Sequence, residues 1–220
     1  SWYETVDQLP LVMNDLFPGQ FPIALRDANG CVLWDTVEVG LVNAFGLELG
    51  ENLVINLGEE VGVGVEYWGQ ISSVSWYPAH SVDCSDCEYP RLQPTSTTTY
   101  ITTVSDSLGC SYADSLTVRV SKDHDYFAPN VFSPNGDQVN DRFTIYGGAA
   151  IRSIRRLHVF DRWGGTLFWA SNLQPGVETQ GWDGTFRGRP MEVGVYVYQV
   201  EIEFWDGKIQ LDVGDLLLVR

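Results

Sequence analysis

This sequence predicts an all-β protein of tandem antiparallel β-sandwiches, an immunoglobulin-like domain followed by a roughly seven-stranded one, and three observations lead there. Val, Thr, Tyr, Trp and Phe abound, while Ala-, Glu- and Lys-rich amphipathic windows are absent, so strands are favoured over helices. Short apolar runs are separated by Gly, Pro, Asn and Asp at sandwich spacing. With 220 residues, 44% hydrophobic and 13% aromatic, the chain can fill two ordinary domains and is not globally disordered.

Taken in order, Leu9 to Val39 contains Phe17-Pro-Gly-Gln-Phe-Pro-Ile-Ala-Leu-Arg-Asp-Ala-Asn-Gly-Cys31 and then Val37-Glu-Val39, which reads as strand, Asn-Gly turn, strand. Thr97 to Cys110, followed by Ser115-Leu-Thr-Val-Arg-Val120, repeats that design. The Gly30-Cys31 and Gly109-Cys110 hairpins thus read as the closing hairpins of two successive repeats, the first lacking its beginning. A hairpin alone is marginal in water. Residues 1–40 are therefore expected to pack on the next domain or to be the edge of an upstream one, and the chain reads as the C-terminal part of something larger.

Residues 41–122 should fill one immunoglobulin-like sandwich, with strands at Leu53–Leu57, Val61–Tyr67, Ile71–Trp76, Tyr100–Val104 and Leu116–Val120, and Trp76 as core anchor. Ser121 to Asp125 is a short polar linker. Residues 126–220 form the last domain. Along its Val193–Phe204 segment, Tyr196, Tyr198, Val200, Ile202 and Phe204 share one face and Gln199, Glu201 and Glu203 the other, the signature of a half-buried strand. Phe143–Ile145, Leu157–Val159 and Leu167–Trp169 behave similarly, and Ile209 to Val219 reads as a terminal hairpin turned near Asp212 to Asp215.

The net charge of −16 is unevenly shared. Residues 1–125 carry 18 Asp/Glu against 4 Lys/Arg, and residues 126–220 carry 11 against 9. The acidic first part suits solubility of a displayed repeat, and a phosphate backbone, which wants a basic face, is disfavoured as a partner. No apolar run approaches the roughly 18 residues that span a membrane, and the start Ser1-Trp-Tyr-Glu lacks a basic-then-apolar signal segment.

The strongest metal candidate is Asn135-Gly-Asp-Gln-Val-Asn-Asp141. Calcium takes six to eight oxygens, and Asn135, Asp137, the Val139 carbonyl and Asp141 could supply several of them. The twelve-residue spacing and closing Glu of an EF-hand are missing. The alternative is that Asn and Asp build Asx turns in a sharp connection. Cys84 and Cys87 form a single Cys-x-x-Cys, with Cys31 and Cys110 on separate hairpins and His80, His124 and His158 scattered, a poor zinc set. A thioredoxin-like redox site would need a strand-to-helix junction. A local Cys84–Cys87 disulfide is expected, with Cys110 pairing to one of them as the rival arrangement.

No Gly-x-Ser-x-Gly elbow, His-Glu-x-x-His, phosphate-cradling loop or Ser/His/Asp set is present, so an enzyme is not expected. Trp163, Trp169, Trp182 and Trp205 invite a sugar-stacking reading. The glycines around Trp163 and Trp182 favour instead rings that plug the end of a sandwich.

One ordered series of motifs remains. Tyr126-Phe-Ala-Pro-Asn-Val-Phe-Ser-Pro-Asn-Gly-Asp-Gln-Val-Asn-Asp-Arg-Phe143, Val159-Phe-Asp-Arg-Trp-Gly164, Gly181-Trp-Asp-Gly184, Gly194-Val-Tyr-Val-Tyr198 and Gly214-Asp-Leu-Leu-Leu-Val-Arg220 follow one another. In that order they resemble the C-terminal sorting domain of the type IX secretion system, in its gliding-motility-associated, type B form. Gln138 stands where the family usually has Gly, and Gly165 where an acidic residue is common. Ser75-Trp-Tyr-Pro78, Cys84-Ser-Asp-Cys87 and Thr97–Tyr100 resemble the Ig-like or PKD-like repeats often found before this domain.

The resemblance implies an address label for a large exported protein of a Bacteroidota-type bacterium, carried through the periplasm and outer membrane to be secreted or held at the cell surface. It implies recognition at Gly214, Asp215, Leu216, Leu217, Leu218, Val219 and Arg220 by the outer-membrane translocon and an accessory β-barrel of the PorP/SprF kind. The alternative function is an adhesin or carbohydrate-binding tip.

Overall fold

The computed structural model describes residues 16–17, 19–40, 45–107 and 109–220. They form strands β1 (Gly19–Arg26), β2 (Val32–Val39), β3 (Gly46–Glu48), β4 (Leu53–Asn56), β5 (Val61–Gly62), β6 (Glu66–Trp68), β7 (Ser73–Tyr77), β8 (Arg91–Leu92), β9 (Thr98–Ser105) and β10 (Ser111–Ser121). There follow β11 (Tyr126–Phe127), β12 (Val131–Phe132), β13 (Tyr146–Gly147), β14 (Ile151–Phe160), β15 (Thr166–Leu173), β16 (Thr185–Phe186), β17 (Arg189–Pro190), β18 (Gly194–Phe204) and β19 (Ile209–Leu218). Two short 3-10 turns are the only helical elements among the described residues.

The described residues up to Phe45, with Trp68–Gln70, form one compact unit, and Gly46–Tyr67 with Ile71–Arg220 form the other. In the first unit β1 and β2 pair antiparallel from Gly19 opposite Val39 to Arg26 opposite Val32. The expected Asn-Gly turn is a three-residue loop instead, closed by Asp27 N–H donating to the Cys31 carbonyl and Gly30 N–H to the Asp27 carbonyl. Gly30 sits at φ +89, where a side chain would be strained. Asp27 Oδ1 accepts the amides of Asn29 and Cys31. The Asp106 turn between β9 and β10 and the Asp161 turn between β14 and β15 repeat this pattern, with Gly109 at φ +88 and Gly164 at φ +83. Asp at the first position and Gly at the fourth therefore encode these hairpins locally.

In the second unit, β4-β10-β9-β7 form one sheet. Its inward residues include Ile55, Trp76, Tyr100, Val104, Leu116 and Val118. Trp76 anchors this core as expected, and its indole Nε1 donates to the Cys87 carbonyl at 2.9 Å. The strand expected over Val61–Tyr67 is split into β5 and β6. Val63 and Val65 lie between them with amides bonded to the Pro90 and Glu88 carbonyls, so the ladder is carried by an irregular segment.

The remaining residues build a five-stranded sheet, β12-β19-β18-β14-β15, and the small pairs β11-β13 and β16-β17. The alternation along β18 holds: Tyr196, Tyr198, Val200, Ile202 and Phe204 are buried. Two expectations need correction. Ile209 to Val219 is no hairpin, because β19 pairs with β18 without interruption from Ile209 opposite Glu203 to Leu218 opposite Gly194. Ten consecutive pairs outweigh the local turn preference of Asp212 to Asp215; the turn comes earlier, at Trp205-Asp206-Gly207. Phe143–Ile145 is buried but belongs to no strand, its one bridge running from Phe143 to Trp182, itself outside the strands.

The four-stranded and the five-stranded sheet are each closed by a parallel pair in an otherwise antiparallel ladder. β4 runs parallel to β10 and β12 parallel to β19, so an early strand lies beside the last strand of the same sheet. Residues of the Ser121–Asp125 linker, and residues on its two sides, also make contacts within this unit. Asp206 is 3.5 Å from Lys122 Nζ and 3.1 Å from His124 Nε2, and a Cβ on Gly58 would stand 2.0 Å from the Ala149 carbonyl oxygen.

Candidate functional site

The motif residues converge on one core. Phe132 lies 5.3 Å from Trp182 and 6.4 Å from Phe143, Phe143 lies 5.1 Å from Tyr198, and Trp182 lies 5.2 Å from Tyr196, ring centre to ring centre. Trp182 Nε1 donates to the Thr185 carbonyl at 2.8 Å. The glycines of the Gly181-Trp-Asp-Gly184 motif are required by close approach: a Cβ on Gly181 would meet the Phe143 carbonyl at 2.4 Å, and one on Gly184 would meet Pro134 at 2.9 Å and Leu218 at 3.0 Å. Segments far apart in sequence thus form one aromatic cluster that seats the end of β19.

The expected recognition residues divide by the strand's period of two. Leu216 and Leu218 are fully buried against that cluster, while Asp215 and Leu217 face outward. Arg220 Nη2 donates to the Met191 carbonyl at 2.8 Å. Gly214 faces Tyr198, and a Cβ there would lie 2.6 Å from the Tyr198 hydroxyl. Burial, with Asp212 beside it, pushes that hydroxyl's pKa up to about 12. Only part of Gly214–Arg220 is therefore presented; the rest holds the strand in place.

In the Asn135–Asp141 loop the side-chain oxygens serve the loop's own donors. Asp141 Oδ1 accepts the amides of Asn135 and Gly136, and Asp141 Oδ2 accepts that of Gln138 at 2.8 Å. Asp137 Oδ1 accepts the Val139 amide and Asn135 Oδ1 accepts the Asp137 amide. The Gly136 and Gln138 amides hold the Asp141 carboxyl below its ordinary pKa. Gln138 adopts φ 69 where the family usually has Gly. A cation here would compete with these amides for the same oxygens.

Cys84 and Cys87 are joined by a disulfide, and Cys31 and Cys110 are free and exposed at equivalent hairpin positions. Cys84, Asp86 and Cys87 are the only His, Cys, Asp or Glu cluster of metal-binding size among the described residues, and its two sulfurs are bonded to each other. Of the tryptophans, Trp182 plugs the core at 1% exposure, but Trp163 is 83% exposed, contrary to expectation. It occupies the middle of the Asp161 turn, where the loop aims its side chain away from both strands, and Arg162 stacks on its ring at 5.3 Å. Trp169 is also exposed. The exposure of Trp163 was not readable without the turn geometry, and that of Trp169 depends on what covers the outer face of β15.

Comparison with known proteins agrees with the motif series. Residues 126–214 match the family described as CHU_C Type IX secretion signal domain, and this segment carries such a domain. No curated protein matches the sequence. Among solved structures, "Sidekick-1 immunoglobulin domains 1-5" is similar at 11% identity and TM-score 0.44, over 92% of this chain and 45% of that one. Fibronectin(III)-like modules of Clostridium thermocellum CbhA match at 13% identity and TM-score 0.30, over 80% of this chain and 94% of theirs. Dimeric latent PorU from Porphyromonas gingivalis matches at 12% and 0.28, over 94% of this chain and 24% of that one. The chain spans less than two thirds of the length of the first solved structures it matches. No helix of the described residues is long and apolar enough to cross a membrane.

Proposed function

We propose that residues 126–220 are the export signal of a larger surface or secreted protein, a binding module read by the type IX outer-membrane translocon and a PorP/SprF-type barrel rather than a catalyst. The match of residues 126–214 to a type IX secretion signal domain carries this reading. The convergence of its motifs on one aromatic core, which fixes β19 with Asp215 and Leu217 facing outward, supplies the physical basis. Residues 41–122 are an acidic spacer repeat in this reading, and residues 1–40 belong to the repeat before it.

The test is export of a fluorescent reporter, carrying a signal peptide and fused ahead of the whole 220-residue chain, in a host with this secretion system. Deleting Leu216–Arg220 would also remove two core side chains, so it cannot separate recognition from folding. Asp215→Lys and Leu217→Asp change outward positions only. Their fusions should remain in the periplasm with unchanged circular dichroism, and full export of both would remove the terminal strand from the signal.

A second reading, a carbohydrate-binding tip, has one observation in its favour, the exposed rings of Trp163 and Trp169. Glycan binding by the purified chain that Trp163→Ala abolishes would support it.

A further inference from the structure

The side of β19 that faces away from β18 is open over most of its length. Leu217 and Val219 donate their amides to the Asn130 and Phe132 carbonyls, so the odd-numbered residues of β19 direct their backbone groups away from β18. β12 covers this side at Leu217 and Leu218 only. Upstream of it stands Pro129, which has no N–H to donate, and the chain continues there as a loop. On this side, no strand of the described residues therefore lies beside Ile209, Leu211, Val213 and Asp215.

Protein edges of this kind are normally blunted by Lys, Pro, bulges or a covering element. Here one local device appears: Asp212 Oδ1 accepts the Val213 amide at 2.9 Å. The Leu211 and Asp215 amides face the open side uncapped, and the outward row Ile209, Leu211, Val213 is exposed and apolar, with Glu203, Glu201 and Gln199 opposite it on β18.

We propose that this edge takes up an extended segment of another protein by strand addition, one that alternates apolar residues with Lys or Arg. Charge chooses the occupant. Asp212 lies on the inward-facing side of the open strand and Asp215 on the outward one, with no Lys or Arg in β19. When apolar residues of an incoming strand cover Ile209, Leu211 and Val213, its alternate residues fall on the face of Asp212, whose carboxylate accepts the Tyr198 hydroxyl but has no cation of β19 beside it. A second copy of this chain fits poorly: antiparallel pairing of two β19 edges centred on Val213 sets Asp215 against the partner's Leu211 and crowds four carboxylates along one seam. Strand addition supplies affinity through main-chain hydrogen bonds and specificity through alternate side chains. The inference goes beyond the export reading and does not depend on it, since the edge binds or fails to bind in a purified sample.

The experiment uses the whole chain and two synthetic ten-residue peptides, one alternating Val with Lys and one alternating Val with Glu. Hydrogen exchange at the Leu211 and Asp215 amides should slow by at least about tenfold with the Val-Lys peptide, and the Val-Glu peptide should bind at least about tenfold more weakly. Leu211→Pro removes an edge amide where proline is tolerated and should abolish binding without altering circular dichroism. If that variant unfolds, Asp212→Lys serves instead and should reverse the peptide preference. The proposal is overturned by unchanged exchange with both peptides at about 1 mM, by equal affinity for the two, or by a dimer of the chain alone that protects the same amides.

Discussion

The two sandwiches of the larger unit use the same devices on different core chemistry. Each has one buried Trp donating its indole N–H to a backbone carbonyl, Trp76 to Cys87 and Trp182 to Thr185, and each sheet closes with a parallel pair. Around Trp76 the core is largely aliphatic, with Tyr100 its other large ring; around Trp182 it is a chain of aromatic contacts through Phe132, Phe143, Tyr196 and Tyr198. Charge differs too, with most of the excess acid before Tyr126. An architecture set by strand alternation and Asp-Gly hairpins thus accommodates either filling, and what distinguishes the second sandwich is that its aromatic cluster fixes a strand with an open edge.

The largest expected effect breaks one sandwich at a time. Trp76→Ala and Trp182→Ala should each cost about 3–5 kcal/mol. Calorimetry on the whole chain should show Trp182→Ala lowering the transition of residues 126–220 and also releasing β19, read as faster exchange at Leu216 and Leu218. An equal loss of protection at Leu216 in Trp76→Ala would mean that the two cores are one cooperative unit.

A smaller effect concerns the junction between them. Gly58 has φ +84, and its Cβ would meet the Ala149 carbonyl and the Trp205 ring. Gly58→Val should cost about 1–3 kcal/mol and separate the melting of the two sandwiches, as neither core loses a contact of its own. A single unshifted transition would show that the contact carries no coupling.

Next in size is a pH effect at the same junction. Burial opposes the charge on Asp206, but the Lys208 amide, His124 and Lys122 prevail and hold its pKa below the ordinary carboxylate value. A lowered folded pKa gives stability that is present above the unfolded value near 3.8 and is lost as pH falls through the folded one. The melting temperature of Asp206→Asn should therefore lie below that of the parent at pH 7, and the two should converge on acidification below about pH 4. A constant gap down to pH 2 would assign the loss to packing.

The smallest effect is expected at the carboxylate loop. Because Asp141 and Asp137 already accept the loop's amides, excess chelator should leave the melting curve unchanged, whereas Asp141→Ala should lower it. A drop with chelator, abolished by Asp137→Ala, would restore calcium to the loop.

Much of this was legible in the sequence because its causes are local. Alternation along Tyr196 to Phe204 placed one face inward, and Asp-x-x-Gly spacing encoded three hairpins wherever they stood. The β1–β2 hairpin shows the limit of that code: its turn matches the one between β9 and β10, yet Leu33 and Trp34 are exposed while Tyr100 and Leu116 are buried. Local hydrogen bonding fixes a turn but cannot say what will cover the strands beyond it. The match of residues 126–214 was readable as ordered motifs, since Gly181, Gly184 and Gly214 meet steric demands of one shared core and Gly164 meets that of a turn.

Tertiary structure alone decided three things. Asp212 to Asp215 reads as a turn in isolation and became mid-strand because β18 offers an uninterrupted partner. Trp163 reads like Trp182 between its glycines but projects into solvent, because it sits at the tip of a turn and Trp182 does not. The division of Gly214–Arg220 into core and outward residues, and the open edge alongside, depend on which strands lie beside β19. That pairing is set by contacts distant in sequence, and no window of residues contains it.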